Sequence, residues 1–563
     1  MARKKVYIVA DGMVTSLGAG TEANVEAVRA GKTGVALHSG LVEEESGNDL
    51  PVMCGLVEDF NGDIDGMTRT ESLAVAAVSE AAGKVSRHDG AAERRRALIF
   101  SSTKGNIGIL DAAPEDAAAL PEEVFLDCSA KRIGKHFGYH PDDVFTVSNA
   151  CISGVSSIVV AKRMIEYGRY DEVTVVGVDT ISRFIASGFA SFRSLSASLC
   201  RPYDASRDGL NLGEAAAAVI LSDCADGASA PVVVSGGSVS DDANHISGPS
   251  RTGDGLYFAM RDAMEDAGVT AEDISFVNLH GTATVYNDEM ESKAVGLAGL
   301  SDRPVQSLKP YIGHTLGASG VVETVFCIRQ LLLGEVWGTP GFASLGVPVP
   351  LSVSSMTRQV RMRHCIKTAS GFGGCNAAIV LSLPEYARDM EEKPLPGFRK
   401  LKDVKMCGAG DFHSFIREKY KALGLNDMKF YKMDDMSKLG YIASHLLLDG
   451  LSFSPEDMAV ILQNRSASLD SDLKHLRNIT EGPGASPAVF VYTLPNVASG
   501  EISIRHKIKG ENTFFISSSY GREGMEEYAR MVLASSKAKY CIVGWLEYLG
   551  EEYDADFELI EKI

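Results

Sequence analysis

Short apolar runs alternate with longer, Ala-rich stretches along most of the chain. The first run is Val6–Ala10, and a stretch of helical periodicity, Ser156–Tyr167, precedes the run Glu172–Val178. Such runs predict buried strands, and their alternation with helices predicts an α/β fold. Further strands are predicted at Ala97–Phe100, Ala217–Leu221, Val232–Ser235, Phe276–Leu279 and Ala377–Leu383.

The alternation is interrupted at residues 385–400. This segment is charged, contains prolines and has no apolar period, so we predict a linker there. A second module, residues 401–563, follows the linker. In this module Met458–Gln463 and Tyr540–Gly544 are predicted strands, and Glu526–Ala534 is a predicted helix.

The composition is that of a globular enzyme. The chain has 563 residues, of which 45% are hydrophobic and 23% charged. At ~150 residues per domain the length suggests about three to four domains, and the apolar content excludes a mainly disordered chain. The formal net charge is −19, from 55 basic and 74 acidic residues. This balance argues against a general nucleic-acid-binding protein, which would carry a basic excess.

The cysteines and the N-terminal residues bear on the cellular compartment. Ten cysteines are scattered without a CxxC pair, which is typical of free thiols in a reducing compartment. The apolar run at the N-terminus is short and ends at Asp11, so we do not expect a signal peptide. No window of about 18 uninterrupted apolar residues predicts a membrane span. We therefore expect a cytoplasmic protein.

A candidate nucleophile lies in the stretch Phe145–Gly154, where a predicted strand runs through a turn of small residues into a helix. Cys151 would stand at the helix N-terminus, where the N–H groups and the helix dipole favour a thiolate. Its small neighbours allow a sharp turn, as in a nucleophile elbow. The alternative is a buried, inert cysteine.

Three other clusters could carry chemistry. His280 ends a predicted strand, Lys309 and His314 precede a helix rich in small residues, and Thr368–Asn376 is a glycine loop between two strands. Alone, each has a simpler structural explanation: a hydrogen-bonded buried histidine, close helix packing and a β-turn with a buried Phe. Together, in this order on an α/β background, the clusters are far more specific.

The four clusters resemble the β-ketoacyl synthases of the elongating type, which are condensing enzymes of the thiolase fold. The resemblance covers residues 1 to about 385 and rests on four motifs, with support from DANHI at Asp242–Ile246. The motifs are SNACISG around Cys151, HGTAT from His280, KPYIGHTLGASG with Lys309 and His314, and SGFGG around Phe372.

This resemblance implies a layered αβαβα fold made of two pseudo-repeated halves. Residues 1–230 would form the N-terminal half with the nucleophile, and residues 231–384 the C-terminal half with both histidines and the lysine. A homodimer, or a heterodimer with a related synthase, is also expected, because the sheets of the family pair across a two-fold axis.

The resemblance further implies a ping-pong Claisen condensation. Cys151 would accept an acyl group from an acyl carrier protein, and a malonyl thioester on a second carrier would then lose CO₂. The backbone N–H groups of Cys151 and Phe372 would hold the oxyanion. His280 and His314 would donate Nε2–H hydrogen bonds to the enolate as neutral groups, since a buried cationic pair would be costly.

Supporting roles also come from the resemblance. Lys309 and Glu323 would orient the histidines, Thr282 and Thr284 would bind the pantetheine arm, and Phe372 would act as a gate for the second substrate. We expect no metal and no bound cofactor, because the phosphopantetheine arrives on the carrier protein.

Departures from the family pattern concern the acyl substrate. Ser370 stands two residues before the gate, where an aromatic residue is usual, and Ile152 follows the nucleophile, where a smaller residue is commoner. We count Ser370 and Gly373 among the substrate-binding residues. The acyl chain and the pathway, whether fatty acid, polyketide or polyene, do not follow from the sequence.

The second module resembles the stretch of a synthase that leads into its nucleophile, with the pattern PNxxxGxxSI…KGxN…S within residues 484–519. Ser519 or Tyr520 stands where a nucleophile would be, and the module has no HGT or KxxxGH motif. We therefore predict a degenerate N-terminal half without catalytic residues, with a structural or chain-length-related role in which Tyr520 could border the acyl tunnel. A plain α/β packing domain is the alternative.

Two other functions stay open. A thiolase-like enzyme acting on acyl-CoA would need a second catalytic cysteine, and Cys375 lies after the glycine loop, where none is expected. A non-catalytic partner of the chain-length-factor type would lack the nucleophile that this chain keeps. For carrier docking, the candidate basic patches are Arg94–Arg96 and Arg361–His364, which could also be ordinary solvated surface.

Overall fold

The computed structural model describes residues 3–43, 49–85, 94–112, 120–389 and 394–563. The N-terminal half consists of β1 (Tyr7–Thr15), β2 (Gly18–Ala19), α1 (Thr21–Arg29), β3 (Ala36–His38), β4 (Val52–Gly55), α2 (Arg69–Gly83), β5 (Arg96–Ser101), α3 (Leu126–His136), β6 (Val144–Val147), α4 (Ser153–Glu166), β7 (Glu172–Asp179), α5 (Arg183–Ser191), β8 (Leu212–Gly213) and β9 (Ala215–Ser222).

The C-terminal half repeats the alternation of strands and helices. It consists of β10 (Val232–Asp241), α6 (Asp254–Ala267), β11 (Ile274–Asn278), α7 (Val285–Leu297), β12 (Pro304–Gln306), α8 (Lys309–Ile312), α9 (Ser319–Leu333), β13 (Glu335–Val336), β14 (Ser352–Val353), β15 (Arg358–Gln359), β16 (His364–Ser370) and β17 (Cys375–Ser382).

The second module is a further α/β unit. It consists of β18 (Phe398–Ala409), α10 (Phe412–Ala422), α11 (Asp435–Leu448), β19 (Met458–Asn464), α12 (Leu469–Thr480), α13 (Pro487–Phe490), α14 (Asn496–His506), β20 (Asn512–Ile516), α15 (Arg522–Ser535), β21 (Tyr540–Leu549) and β22 (Glu552–Lys562).

One five-stranded sheet topology occurs three times. The orders are β6-β5-β7-β9-β1, β12-β11-β16-β17-β10 and β20-β19-β21-β22-β18. In each sheet the first three strands are parallel to one another, and the fourth strand is antiparallel to both of its neighbours. The module therefore has the sheet topology of a synthase half, as its sequence pattern predicted.

The sheets of the N-terminal half and of the module join into one continuous sheet. Edge strand β6 pairs antiparallel with edge strand β20, with Val147 opposite Phe515 and Thr146 opposite Ile516. The two sheets thereby meet edge to edge, and the edge strand β6, which would otherwise be open, is covered by β20. One cluster of buried apolar side chains extends from the N-terminal half into the module.

The middle helical layer is formed by α4 and α9, which are almost fully buried and contact each other. The segment Leu316–Leu333 is the one candidate among the described residues that is long and apolar enough to cross a membrane, and 83% of it is buried. A core helix of a soluble fold passes the same test, so this is weak evidence for a span.

The predicted linker is shorter than expected at its C-terminal end. Strand β18 begins at Phe398, where it pairs with Lys562 of β22. Most side chains of β18 are exposed, so the strand lacks the apolar alternation that would have marked it. Residues 390–393, also within the predicted linker, lie outside the described residues.

Candidate active site

Cys151 lies in a tight turn between β6 and α4. The preceding residue, Ala150, has a φ of +48°, a left-handed conformation that costs a non-glycine residue about 1 kcal/mol or more. Gly154 allows α4 to approach α9 closely, since a Cβ there would lie 2.7 Å from the Val321 nitrogen. The strained turn raises the half-buried Cys151 above the sheet, as expected for a nucleophile elbow.

His314 is the immediate partner of the thiol. Its Nε2 lies 3.1 Å from Cys151 Sγ, and its Nδ1 lies 3.1 Å from Ser319 Oγ. The turn after His314 is held by Asp179, which accepts a 2.7 Å hydrogen bond from the Gly317 N–H. Leu316, in the same turn, has a φ of +50°. Backbone strain of this kind clusters at functional sites.

His280 faces the same space from the end of β11. Its ring centroid is 4.9 Å from that of His314, and the rings are nearly perpendicular. Lys309 Nζ lies 3.3 Å from His280 Nδ1. Because a lysine ammonium can only donate, Nδ1 accepts and the imidazole proton is on Nε2. Lys309 thus fixes His280 as an Nε2–H donor.

Glu323 binds two buried lysines. Its Oε1 lies 2.8 Å from Lys309 Nζ, and its other oxygen contacts Lys367 Nζ. Burial alone would raise the pKa of Glu323, but the two lysines hold it below its ordinary value. Burial lowers the pKa of Lys367. Sequence reasoning missed Lys367, which lies three residues before Ser370 and within strand β16.

Burial and nearby positive charge keep both histidines neutral. Burial, with the charges of Lys309 and Lys367, holds the pKa values of His280 and His314 well below 6.5. They can therefore act as the neutral hydrogen-bond partners that the resemblance implies.

Cys151 rests as a thiol. Burial raises the pKa of Cys151 to about 12, and the charge of Lys309 opposes this only in part. The expectation of a thiolate stabilised by the helix N-terminus is therefore wrong for the resting state. A helix dipole contributes at most ~2 kcal/mol, which is less than the cost of burying the anion. Deprotonation requires a base, and His314 Nε2 is in place to accept the proton.

A cavity of about 220 Å³ leads to these groups. Its walls are mainly apolar, and the predicted residues Thr282, Thr284 and Ser370 line it. The hydroxyls of Thr282 and Thr284 lie 2.8 Å apart near its mouth, while Ser370 donates to Asn376 at 2.7 Å. The lining otherwise includes Cys151, His280, His314, Phe372, Phe189, Phe192, Asp242, Asn376 and Tyr286.

Asp242 and Asn376 were not predicted as site residues, although DANHI supplied a signal for the first. Asn376 Nδ2 donates to Asp242 Oδ1 at 2.9 Å beside the gate. Burial raises the pKa of Asp242 to about 6.

The gate loop is defined as Gly371–Gly374. The ring of Phe372 packs against Phe192 at 5.4 Å and Phe189 at 6.3 Å between centroids. Gly373 does not line the cavity: its N–H donates to the carbonyl of Ile246 at 2.6 Å, behind the gate. Its predicted role in substrate binding stays a prediction.

A phenylalanine of the module packs against the same two aromatic rings, Phe189 and Phe192. Phe490 packs on Phe189 at 5.5 Å and on Phe192 at 6.3 Å between ring centroids. Gly188 makes room for Phe490, since a Cβ there would lie 2.2 Å from the phenyl ring. Sequence reasoning missed Phe490, because nothing in its local pattern indicates a partner more than 290 residues away.

The residues that stand at the nucleophile position of the module lie elsewhere. The rings of Tyr520 and Trp545 are 5.9 Å apart, and Tyr520 does not line the cavity, so its suggested place at the acyl tunnel stays a prediction. Cys541 is buried on β21. Cys375 is buried behind the gate, with its thiol directed at the Phe372 carbonyl at 3.3 Å, and does not line the cavity.

Ligating atoms of Cys151, His280 and His314 all lie within 4.8 Å of one another. Thiolate and imidazole ligands at this spacing are also compatible with a soft metal ion. The expectation that no metal binds therefore stays a prediction.

Neither suggested basic patch lies beside the cavity. Arg94–Arg96 lie at the N-terminal end of β5, and Arg361–His364 lie at the N-terminal end of β16. The gate loop follows the C-terminal end of β16, and Cys151 follows the C-terminal end of β6, which is parallel to β5. Arg94 is also paired with Asp223. The surface around Arg94–Arg96 is thus at the wrong end of the sheet for substrate delivery.

Comparisons with known proteins agree with this geometry. Residues 115–226 match the family described as "Beta-ketoacyl synthase, N-terminal domain", and residues 231–342 match "Beta-ketoacyl synthase, C-terminal domain". The 3-oxoacyl-[acyl-carrier-protein] synthase 2 of Rhizobium meliloti is 30% identical over 421 residues, which cover 67% of this chain and 98% of that protein.

Solved structures extend the comparison. A ketosynthase from Xenorhabdus doucetiae in complex with its chain length factor is 25% identical, with a TM-score of 0.59, and covers 68% of this chain and 98% of its own. The PfaC keto synthase–chain length factor covers 99% of this chain and 78% of its own, with a TM-score of 0.78; at 14% identity it shows the fold alone. That fold includes the module. The thiolase-like α/β architecture, the motifs and these relatives together establish that the chain is a condensing acyltransferase of the β-ketoacyl synthase family.

Proposed function

We propose that the protein catalyses the decarboxylative Claisen condensation of an acyl group on Cys151 with a malonyl group on an acyl carrier protein. The observation that carries the proposal is the arrangement of Cys151 Sγ, 3.1 Å from His314 Nε2, beside His280, whose tautomer is fixed by Lys309 at 3.3 Å. The product would be a 3-oxoacyl carrier protein in fatty-acid, polyketide or polyene biosynthesis.

In the first half-reaction, Cys151 attacks the thioester carbonyl of the acyl carrier protein. His314 Nε2 accepts the thiol proton as the S–C bond forms and returns it to the leaving pantetheine thiol. The N–H groups of Cys151 and Phe372 have no acceptor among the described residues, so both are available to the oxyanion. Acyl-Cys151 and free carrier protein result.

In the second half-reaction, malonyl carrier protein enters and its C–CO₂ bond breaks. The electron pair of that bond forms an enolate, whose oxygen accepts hydrogen bonds from Nε2–H of His280 and of His314. For this step neutral His314 must exchange its proton from Nδ1 to Nε2 after the thiol proton has left with the pantetheine. The enolate carbon attacks acyl-Cys151 and expels its sulfur, which takes up one proton from solvent. The balance is one CO₂ released, one C–C bond formed and one proton consumed.

The carrier protein supplies the phosphopantetheine, and no bound cofactor is required. In this proposal Thr282 and Thr284 hydrogen-bond the arm; both line the cavity beside Tyr286, which is 76% exposed. Ketosynthases among the solved relatives are complexed with a carrier protein or a chain length factor. A cytoplasmic location is in keeping with ten free cysteines.

The module is proposed to be non-catalytic and to limit the acyl chain. Phe490 packs behind Phe189 and Phe192, which close the cavity, so a longer acyl chain would have to displace these rings. A thiolase-like activity is less well supported, since Cys375 is outside the cavity, and a purely non-catalytic partner would not need the intact Cys151–His314 contact.

The test is release of CO₂ from malonyl carrier protein and labelling of Cys151 by acyl carrier protein, followed by intact mass. We expect Cys151→Ala to abolish condensation while malonyl decarboxylation survives. Full condensation by this variant would overturn the assignment of the nucleophile, and absence of both activities in the wild type would favour a non-catalytic partner.

A further inference from the structure

The gate loop rests directly on helix α14 of the module. The carbonyl of Phe372 accepts a 2.8 Å hydrogen bond from Asn496 Nδ2. One helical turn later, Gly500 faces Gly373, and a Cβ on Gly500 would lie 2.4 Å from the Gly373 carbonyl oxygen. Residues four apart share one helix face, so the PNxxxG pattern of the module places an amide and a bare backbone against the gate.

The glycines of the gate loop allow it to lie close to α14. Gly373 has a φ of +92°, and a Cβ there would lie 2.6 Å from Asn496 Nδ2. Gly374 also has a positive φ, +81°. The conformation of the loop and its distance from α14 therefore both require glycine.

The Asn496 amide nitrogen donates to the Phe372 carbonyl and also lies 3.5 Å from Cys375 Sγ. Asn496 is buried, and its Oδ1 finds no hydrogen-bond partner among the described residues. A buried unsatisfied amide oxygen costs roughly 1–3 kcal/mol, so a polar side chain would not stabilise this site better than an apolar one. What the amide supplies is the hydrogen bond to the Phe372 carbonyl, with the longer contact to the Cys375 thiol beside it.

We propose that Asn496 is a positioning residue of the gate, through which the module couples malonyl decarboxylation to condensation. The hydrogen bond fixes the peptide after Phe372, and with it the ring that closes the cavity against Phe189 and Phe192. With the ring closed, malonyl carrier protein reaches the histidines more slowly than it does after Cys151 has been acylated, so decarboxylation without condensation is slow but not abolished. This inference rests on the proposed function.

The pairing of β6 with β20 explains how Asn496 of the module comes to lie beside the gate loop. β20 follows α14 in the chain, and its register with β6 places α14 beside the gate of the catalytic domain. The site is thus completed by a residue from the third copy of the fold unit, in the same chain.

The experiment compares Asn496→Asp, which keeps the shape but presents a carboxylate oxygen to the Phe372 carbonyl, with Ser503→Ala on the same helix. The Ser503 hydroxyl is buried without a hydrogen-bond partner among the described residues, so its loss controls for disturbance of α14. The readout is CO₂ released from malonyl carrier protein per molecule of condensation product, in the full-length protein.

We expect this ratio to rise about two- to tenfold in Asn496→Asp, the range that one net hydrogen bond supplies, and to stay at the wild-type value in Ser503→Ala. Gly500→Ala should raise it as well, by displacing the loop. An unchanged ratio in Asn496→Asp and Gly500→Ala would overturn the inference while the wild type still condenses. If the wild type releases no CO₂ at all, the proposed function itself fails.

Discussion

Asn149, two residues before the nucleophile, holds the backbone of β20 with both ends of its side-chain amide: Nδ2 donates to the Asn512 carbonyl at 2.6 Å, and Oδ1 accepts from the Phe514 N–H at 2.8 Å. The turn that carries Cys151 is thereby bound to the module. The catalytic domain and the module form one cooperative unit at this point.

Replacing Asn149 by Ala should therefore destabilise the protein and disturb the nucleophile. It leaves the buried Asn512 carbonyl and Phe514 N–H without partners, which should cost about 2–4 kcal/mol of unfolding free energy. Urea denaturation measures this loss, and Thr480→Ala at the end of α12 is a mild control. A loss no larger than that of Thr480→Ala would contradict the anchoring role.

A buried ion pair joins the catalytic domain to the module. Removing one partner of this pair should destabilise the protein more than replacing both partners by apolar residues. Lys104 Nζ lies 2.6 Å from Asp472 Oδ1 and 3.1 Å from Ser468 Oγ, all buried. Asp472→Leu leaves Lys104 buried without its counter-charge and should cost about 3–5 kcal/mol of unfolding free energy. The double variant Lys104→Met/Asp472→Leu should recover most of it. A double variant as unstable as the single one would refute this reading.

Lys309→Met should impair decarboxylation more than acyl transfer. Without Nζ, the Nε2–H tautomer of His280 loses its support, and malonyl decarboxylation should fall roughly 100-fold. Acylation of Cys151, which uses His314, should fall less. Lys367→Met is the matched variant, since Lys367 contacts Glu323 but not His280. Equal effects of the two substitutions on decarboxylation would contradict the role of Lys309.

The raised pKa of Cys151 predicts its pH-dependent alkylation. Because burial raises the pKa to about 12, the thiolate fraction in the folded protein increases with pH through the whole range from 7 to 10. The rate of modification by a small alkylating reagent, followed by intact mass, should rise about tenfold per pH unit without a plateau. A plateau above an inflection near pH 8.5 would show an ordinary exposed thiol.

Phe490→Ala should lengthen the acyl chain that the enzyme accepts. It opens space behind Phe189 and Phe192 from the module side. The distribution of acyl masses trapped on Cys151 should shift towards longer chains, whereas Tyr520→Ala, outside the cavity, should leave it unchanged. An unshifted distribution in Phe490→Ala would remove the chain-length role from the module.

The sequence was most informative where the chemistry is local. Cys151, His280, Lys309 and His314 each lie in a short motif whose residue types the chemistry demands, and the structure brings all four together. The third fold unit was also predictable, because its strands keep the apolar runs of a buried sheet.

What the sequence did not reveal depends on contacts between distant segments. The Asn149–Asn512 pairing joins residues 363 apart, and Asn496 meets Phe372 across 124 residues. Strand β18 has no apolar alternation, because most of its side chains are exposed, although it pairs with β22 along the whole length of that strand. The protonation of Cys151 was mispredicted because its burial comes from tertiary packing.

The expected pairing with a second copy is affected by the same interface. The β6 edge of the sheet is occupied by β20 of the same chain. A homodimer formed through that edge is therefore excluded by the geometry of this fold.

The most direct test of the central claim is a chase experiment on acyl-Cys151. The protein is first incubated with carrier protein that bears an acyl group, and malonyl carrier protein is then added. The mass of the peptide that contains Cys151 is measured before and after this addition. We expect an acyl adduct on Cys151 that disappears on the chase with release of one CO₂ per adduct. An adduct on another residue, or one that persists while CO₂ is released, would contradict it.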